Sequence, residues 1–98
     1  MPPRIPERIR RAILDSAYDM TVHAVEEMAE DTLDLTDEET AILNGRLIKR
    51  EKDESRGTRY TVHGTGADGT TPVGTVGRFT ESGRYLIITV YEVTEPET

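Results

Sequence analysis

The segment Tyr85–Val93, YLIITVYEV, is the feature that most limits how this chain can fold. It is rich in β-branched and aromatic residues, which suit a pleated strand. Its apolar residues fall on both alternation classes. Leu86, Ile88 and Val90 occupy one, and Tyr85, Ile87 and Tyr91 the other. A strand that is apolar on both faces needs cover on both and belongs inside a sheet. The chain must therefore supply further strands beside it and helices to pack on it.

The second half of the sequence supplies the strands. Leu47 and Ile48 begin one that ends in the charged turn Asp53–Gly57, and Tyr60 and Val62 alternate with Arg59, Thr61 and His63 on the next. Ala67-Asp68-Gly69 marks a hairpin turn. Pro72–Phe79 forms a third strand, and Gly74 and Gly77 inside it point to a bulge or a close backbone approach. Glu81-Ser82-Gly83 then turns the chain into Tyr85–Val93. The tail Thr94–Thr98 is expected to fray.

The first half is helical in period. Ile5, Ile9, Ala12, Ile13 and Ala17 recur at helical spacing, which predicts a helix over Pro6–Ser16. Tyr18, Met20 and Val22 alternate with polar residues as a short strand, and His23–Asp31 reads as a second helix. Thr36-Asp37-Glu38-Glu39 has the form of a capping box opening a third helix. Asn44-Gly45 closes that helix, with glycine expected in the left-handed conformation. The sequence thus predicts an α+β fold, two or three N-terminal helices packed on a curved antiparallel sheet of about four to five strands. It forms one domain over residues 1–98, with an ordered core of about 5–93.

Composition narrows the chemistry. There are no cysteines among the 98 residues, which excludes disulfides, iron–sulfur clusters and thiolate zinc sites. No apolar run reaches the roughly 20 residues of a membrane span, and the N-terminus has no signal-peptide pattern. These features place the protein in the cytoplasm. The net charge of −7 is uneven: residues 19–54 carry twelve acids against four bases, whereas each flanking segment carries four arginines. Glu26, Glu27, Glu30 and Asp31 make the second helix an acidic face suited to a basic protein partner.

No phosphate loop, zinc spacing or nucleophile elbow is present. His23 and His63 are the only histidines, so no metal site or cofactor is expected. His23, at a helix N-terminus that favours neutral imidazole, is a candidate general base. Arg59, Arg78, His63 and Tyr91 fall on predicted strands. Arginine can hold a phosphate, and histidine or tyrosine can move protons in metal-free RNA cleavage.

The order of these pieces resembles the domain-of-unknown-function family 4258. The resemblance rests on YDMTVHAVEEMAED, LTDEETAILNGRLIKR and GRYLIITVYEV. Within them lie His23-Ala24, Met28, Asn44-Gly45 and Thr89-Val90-Tyr91, and the match runs over about Ile5–Val93. Family members often carry an arginine shortly after the methionine, where this chain has Ala29-Glu30-Asp31. The family is grouped with RelE- and BrnT-like toxins of type II toxin–antitoxin systems. The resemblance therefore implies a RelE-like fold and inhibition of translation by metal-independent messenger RNA cleavage. The implied partners are a cognate antitoxin and messenger RNA or the ribosome, and the expected catalytic residues are His23, Arg59, Arg78 and Tyr91. The alternatives on the same fold are a non-catalytic interaction module and an acidic inhibitor that mimics nucleic acid.

Overall fold

The computed structural model describes residues 4–94, so Glu95–Thr98 of the expected fraying tail lie outside the described residues. Three helices, α1 (Ile5–Leu14), α2 (Val22–Glu30) and α3 (Leu35–Asn44), accompany five strands. These are β1 (Tyr18–Met20), β2 (Arg46–Glu51), β3 (Arg59–Thr65), β4 (Pro72–Phe79) and β5 (Tyr85–Glu92). The fold is α+β, as the sequence predicts, with sheet order β1-β5-β4-β3-β2. Strands β2 to β5 form an antiparallel meander. The sheet is nonetheless mixed, because β1 pairs with β5 in parallel. No hairpin joins those two strands, and a parallel pair requires only a long crossover, here most of the chain.

β5 lies between β1 and β4, the interior place that its apolar run demands. The way its side chains divide differs from simple alternation. Gly77 of β4 is opposite Ile87, but Val76 is opposite Thr89, so Ile88 is an extra residue on β5. Such a bulge reverses the facing of every later residue. Tyr85, Ile87 and Val90 are all 0% exposed on the core face, while Leu86 and Tyr91 share the other. A second bulge, at Ile48 of β2, adds to the curvature.

One face of the sheet carries the helices. Ile9, Ala12 and Ile13 of α1, Ala24 and Met28 of α2, and Ala41 and Ile42 of α3 pack with Tyr60, Val62, Val73, Tyr85, Ile87 and Val90. The guanidinium of Arg8 covers the Phe79 ring at 4.1 Å. Small residues let the layers close up. A Cβ on Gly64 would stand 2.0 Å from the Ala41 carbonyl oxygen, and one on Gly77 would stand 2.6 Å from Cζ of Tyr85. The glycines of β4 and β3 thus mark close approach, as β4 was expected to.

α2 finishes the sheet. β1 covers only the first three residues of β5, which leaves the far half of that edge without a strand. Side chains take its place: Glu27 Oε1 accepts from the Val90 amide at 3.3 Å and Asp31 Oδ2 from the Glu92 amide at 2.8 Å. The Thr21 hydroxyl donates to the Ile88 carbonyl at 3.1 Å while also capping α2 through the Ala24 amide.

The start of α3 lies two residues before the expected Thr36. Asp34 is the N-cap: its carboxylate accepts from the Asp37 amide at 2.9 Å, and Asp37 accepts from the Asp34 amide at 3.1 Å. This register wins because Asp37 also binds the Ala67 amide at 2.9 Å, tying the helix to the β3–β4 turn. It frees Glu39 to accept a hydrogen bond from the Tyr18 hydroxyl. These amides hold the Asp37 carboxyl below its usual range. At the other end Gly45 is extended (φ −88°), not left-handed. Glycine is required there by space, since a Cβ would stand 2.5 Å from the Ala41 oxygen and 2.6 Å from the His63 oxygen.

Glu38 faces inward from α3 and is 0% exposed. Neither of its carboxyl oxygens has a hydrogen-bond partner among the described residues, and the same holds for the hydroxyls of Thr75 and Tyr85. Burial, reinforced by the neighbouring Glu39, pushes the Glu38 carboxyl up to about 8.

Two stability measurements follow. Asp34→Ala is expected to cost about 0.5–2 kcal/mol in denaturant melts, whereas Thr36→Ala stays within about 0.5 kcal/mol. For Glu38 the folded state keeps its proton up to about pH 8, while the unfolded chain releases it near the ordinary glutamate value. Stability must therefore fall as pH rises between those two values and stay lowered above them. Glu38→Gln removes that slope. The variant is expected to gain on the wild type at pH 8 and to lose that gain at pH 4.

Candidate functional site

The face of the sheet opposite the helices carries the candidate residues. Register decides which side chains share it. Arg46 is opposite His63, His63 is opposite Gly74, and Gly74 is opposite Tyr91. Opposite residues in antiparallel strands project to one side. Arg46, His63, Gly74 and Tyr91 thus form one row running across β2, β3, β4 and β5.

Gly74 is the floor of that row. With no side chain in the way, Tyr91 reaches across β4 and its hydroxyl lies 2.8 Å from Nε2 of His63. The rings meet edge to face, with centroids 5.8 Å apart. A Cβ on residue 74 would stand 2.4 Å from Cζ of Tyr91, a distance that no ordinary packing accommodates. Partial burial raises the Tyr91 hydroxyl above the usual tyrosine value, so the phenol keeps its proton at neutral pH. An imidazole, a protonated phenol in hydrogen-bond contact with it, and an exposed guanidinium one strand away can together hold an anion and exchange protons.

Arg59 and Arg78 share this face but stand at its far end. Four residues of strand separate Arg59 from His63, about 13 Å at the rise of a β-strand. Arg59 pairs with Glu51 at 3.5 Å. Arg78 has no ion pair among the described residues and lines an open groove of about 520 Å³ with Ser55, Arg56, Thr80 and Glu81. The two arginines and the His63–Tyr91 pair are therefore two separate groups on one surface.

His23 is not on this face. It sits on the outer side of α2 with its side chain 65% exposed, and its Nε2 lies 3.2 Å from Glu27. Of the acidic residues expected to bind a partner, Glu26 and Glu30 are exposed. Glu27 and Asp31 instead close the edge of β5. Among the described residues no group of three or more histidine, aspartate and glutamate side chains is arranged to hold a metal. No helix among them is long and apolar enough to cross a membrane.

Arg46 is the residue that sequence reasoning missed. It lies just after the end of α3, and only the pairing of β2 with β3 brings it beside His63. Lys49, Arg59 and Arg78 extend the basic character of the same face, against the paired acids Glu51 and Asp19. The exposed acids Glu26 and Glu30 lie on the helical side.

A family model described as "Domain of unknown function (DUF4258)" matches residues 20–92, which include the last residue of β1, every later element and the whole His63–Tyr91 row. The chain belongs to this family. No curated protein and no solved structure matches it. Membership covers α2, α3 and the entire meander and leaves α1 outside the matched region.

Gly74→Ala tests the geometry directly. The added methyl should push the Tyr91 ring off β4 and break its hydrogen bond with His63, leaving the fold intact. In NMR spectra the His63 ring and the Tyr91 hydroxyl should change together, while the core methyls of Ile87 and Val90 hold their positions. An unchanged His63 signal would show that the ring does not depend on the glycine.

Proposed function

We propose that this protein is a toxin-like component of a type II toxin–antitoxin system that inhibits translation by cleaving messenger RNA without a metal. The observation that carries this reading is the 2.8 Å contact between His63 and Tyr91 on an uncovered basic sheet face, with Arg46 in the same row. The resemblance to RelE- and BrnT-like toxins supports it, and so does the separation of charge. The acids of α2 and α3 repel a phosphate chain, while the bases of the open face attract one.

The chemistry balances with these residues alone. Arg46 holds the scissile phosphate and offsets charge that builds up on its oxygens. The imidazole of His63 takes the proton of the ribose 2′-hydroxyl as that oxygen bonds to phosphorus. The phenol of Tyr91 gives its proton to the leaving 5′-oxygen as the P–O bond breaks. The products are a 2′,3′-cyclic phosphate and a free 5′-hydroxyl. The hydrogen bond between the two side chains then returns the proton from imidazolium to phenolate, and both groups are reset. Arg59 and Arg78 lie too far from this centre to take part in the bond changes. They serve as contacts for the flanking phosphates.

The test is cleavage of single-stranded RNA by purified protein in the presence of a chelator, alongside growth after induced expression. Tyr91→Phe and His63→Gln should each lower the cleavage rate by about 10²–10⁴-fold, the usual contribution of a positioned acid or base. Arg78→Ala should weaken RNA binding more than the rate of the bound complex, and His23→Ala should leave the rate unchanged. A folded wild-type chain that neither cleaves RNA nor slows growth would make this fold a non-catalytic interaction module.

A further inference from the structure

The two edges of the sheet are finished in different ways. At the β5 edge, Thr21, Glu27 and Asp31 occupy the backbone groups that β1 leaves open. At the other edge β2 is terminal, and no strand pairs with its outer side among the described residues. We propose that this outer edge of β2 receives an extended acidic segment of a second protein by strand addition, a role independent of the ribonuclease reading.

Arg46, Lys49 and Arg50 lie on β2 and Lys52 just beyond it, in a chain whose net charge is −7. Glu51 is the only acid among residues 46–52, and it is shared by Lys49 at 3.4 Å and Arg59 at 3.5 Å. Arg46, Arg50 and Lys52 have no ion pair among the described residues. The edge therefore presents unneutralised positive charge beside unpaired strand backbone, which complements an acidic strand on both counts.

Ile48 adds an apolar foothold. It sits at the bulge and is 51% exposed. Further along the strand Arg50 and Lys52, with Thr58 and Tyr60, line a groove of about 320 Å³, which gives a neighbouring side chain a place to lie. Pairing with β2 of another copy would bring Arg46, Lys49, Arg50 and Lys52 of both chains together with one Glu51 from each to offset them, which is destabilising. Charged residues also protect free edges from indiscriminate pairing. Here they make the edge selective for the opposite charge.

The test uses the full chain, labelled for NMR, with two nine-residue peptides that alternate valine with either glutamate or lysine. The glutamate peptide should shift amides within residues 46–52 and slow the hydrogen exchange of those that gain a strand partner, and the lysine peptide should do neither. Arg50→Glu combined with Lys52→Glu should weaken the glutamate peptide by about tenfold or more while leaving the spectrum of the free protein otherwise unchanged. Four results would overturn the proposal. They are no shift with the glutamate peptide, shifts confined to the open face or α1, equal binding of both peptides, and self-association through β2 in sedimentation.

Discussion

The single extra residue at Ile88 governs which half of this molecule is core and which is surface. Strict alternation along β5 would have grouped Tyr91 with Tyr85 and Ile87. The bulge instead sends Val90 inward, where it is 0% exposed, and Tyr91 outward. The part that Tyr91 plays in the candidate site depends on that reversal. Tyr91 could not cross Gly74 toward His63 from the helical side of the sheet. Nor could the core accept a phenol at residue 91 in place of a valine at residue 90 without overpacking.

Two tyrosines of β5 use β4 in the same manner from opposite sides. Tyr85 lies over Gly77 in the core, and Tyr91 lies over Gly74 on the open face. In each case the strand gives up a side chain so that an aromatic ring can span it and meet a residue of β3 or its neighbours. The rings of Tyr60, Phe79 and Tyr85 form a continuous edge-to-face series on one side. His63 and Tyr91 form the pair on the other. β4 is thus a thin partition between two aromatic groupings, one buried in the core and one on the open face.

Much of this was legible in the sequence because the relevant signals are local. The existence of α3, the interior place of β5 and the close approach at the β4 glycines follow from period, two-sided apolarity and residue size. Arg59, Arg78, His63 and Tyr91 could be named as strand residues, although simple alternation groups Tyr91 with Tyr85 and Ile87. What could not be read depends on pairing between distant segments. The bulge at Ile88 is a property of β4 and β5 together, and the parallel partnership of β1 is invisible in three residues. Two capping registers, one opened by Asp34 and one by Thr36, compete at the start of α3. The choice between them is made by the Ala67 amide, thirty residues away in the chain. Arg46 entered the site for the same reason: its place beside His63 is fixed by β-pairing and by no feature of its own neighbourhood.

The closure of the β5 edge by α2 has a consequence for assembly. Growth of a β-ladder without limit requires each added unit to bring a fresh edge of its own, so that a sheet can be extended from both ends. In this molecule one end is occupied by Thr21, Glu27 and Asp31, whose side chains use the backbone groups that a newcomer would need. Beyond those side chains the sheet ends in β1, three residues long, so this end offers a newcomer a far shorter edge than β2 does. The fold is thus asymmetric for sheet extension, with one long free edge and one that is nearly closed.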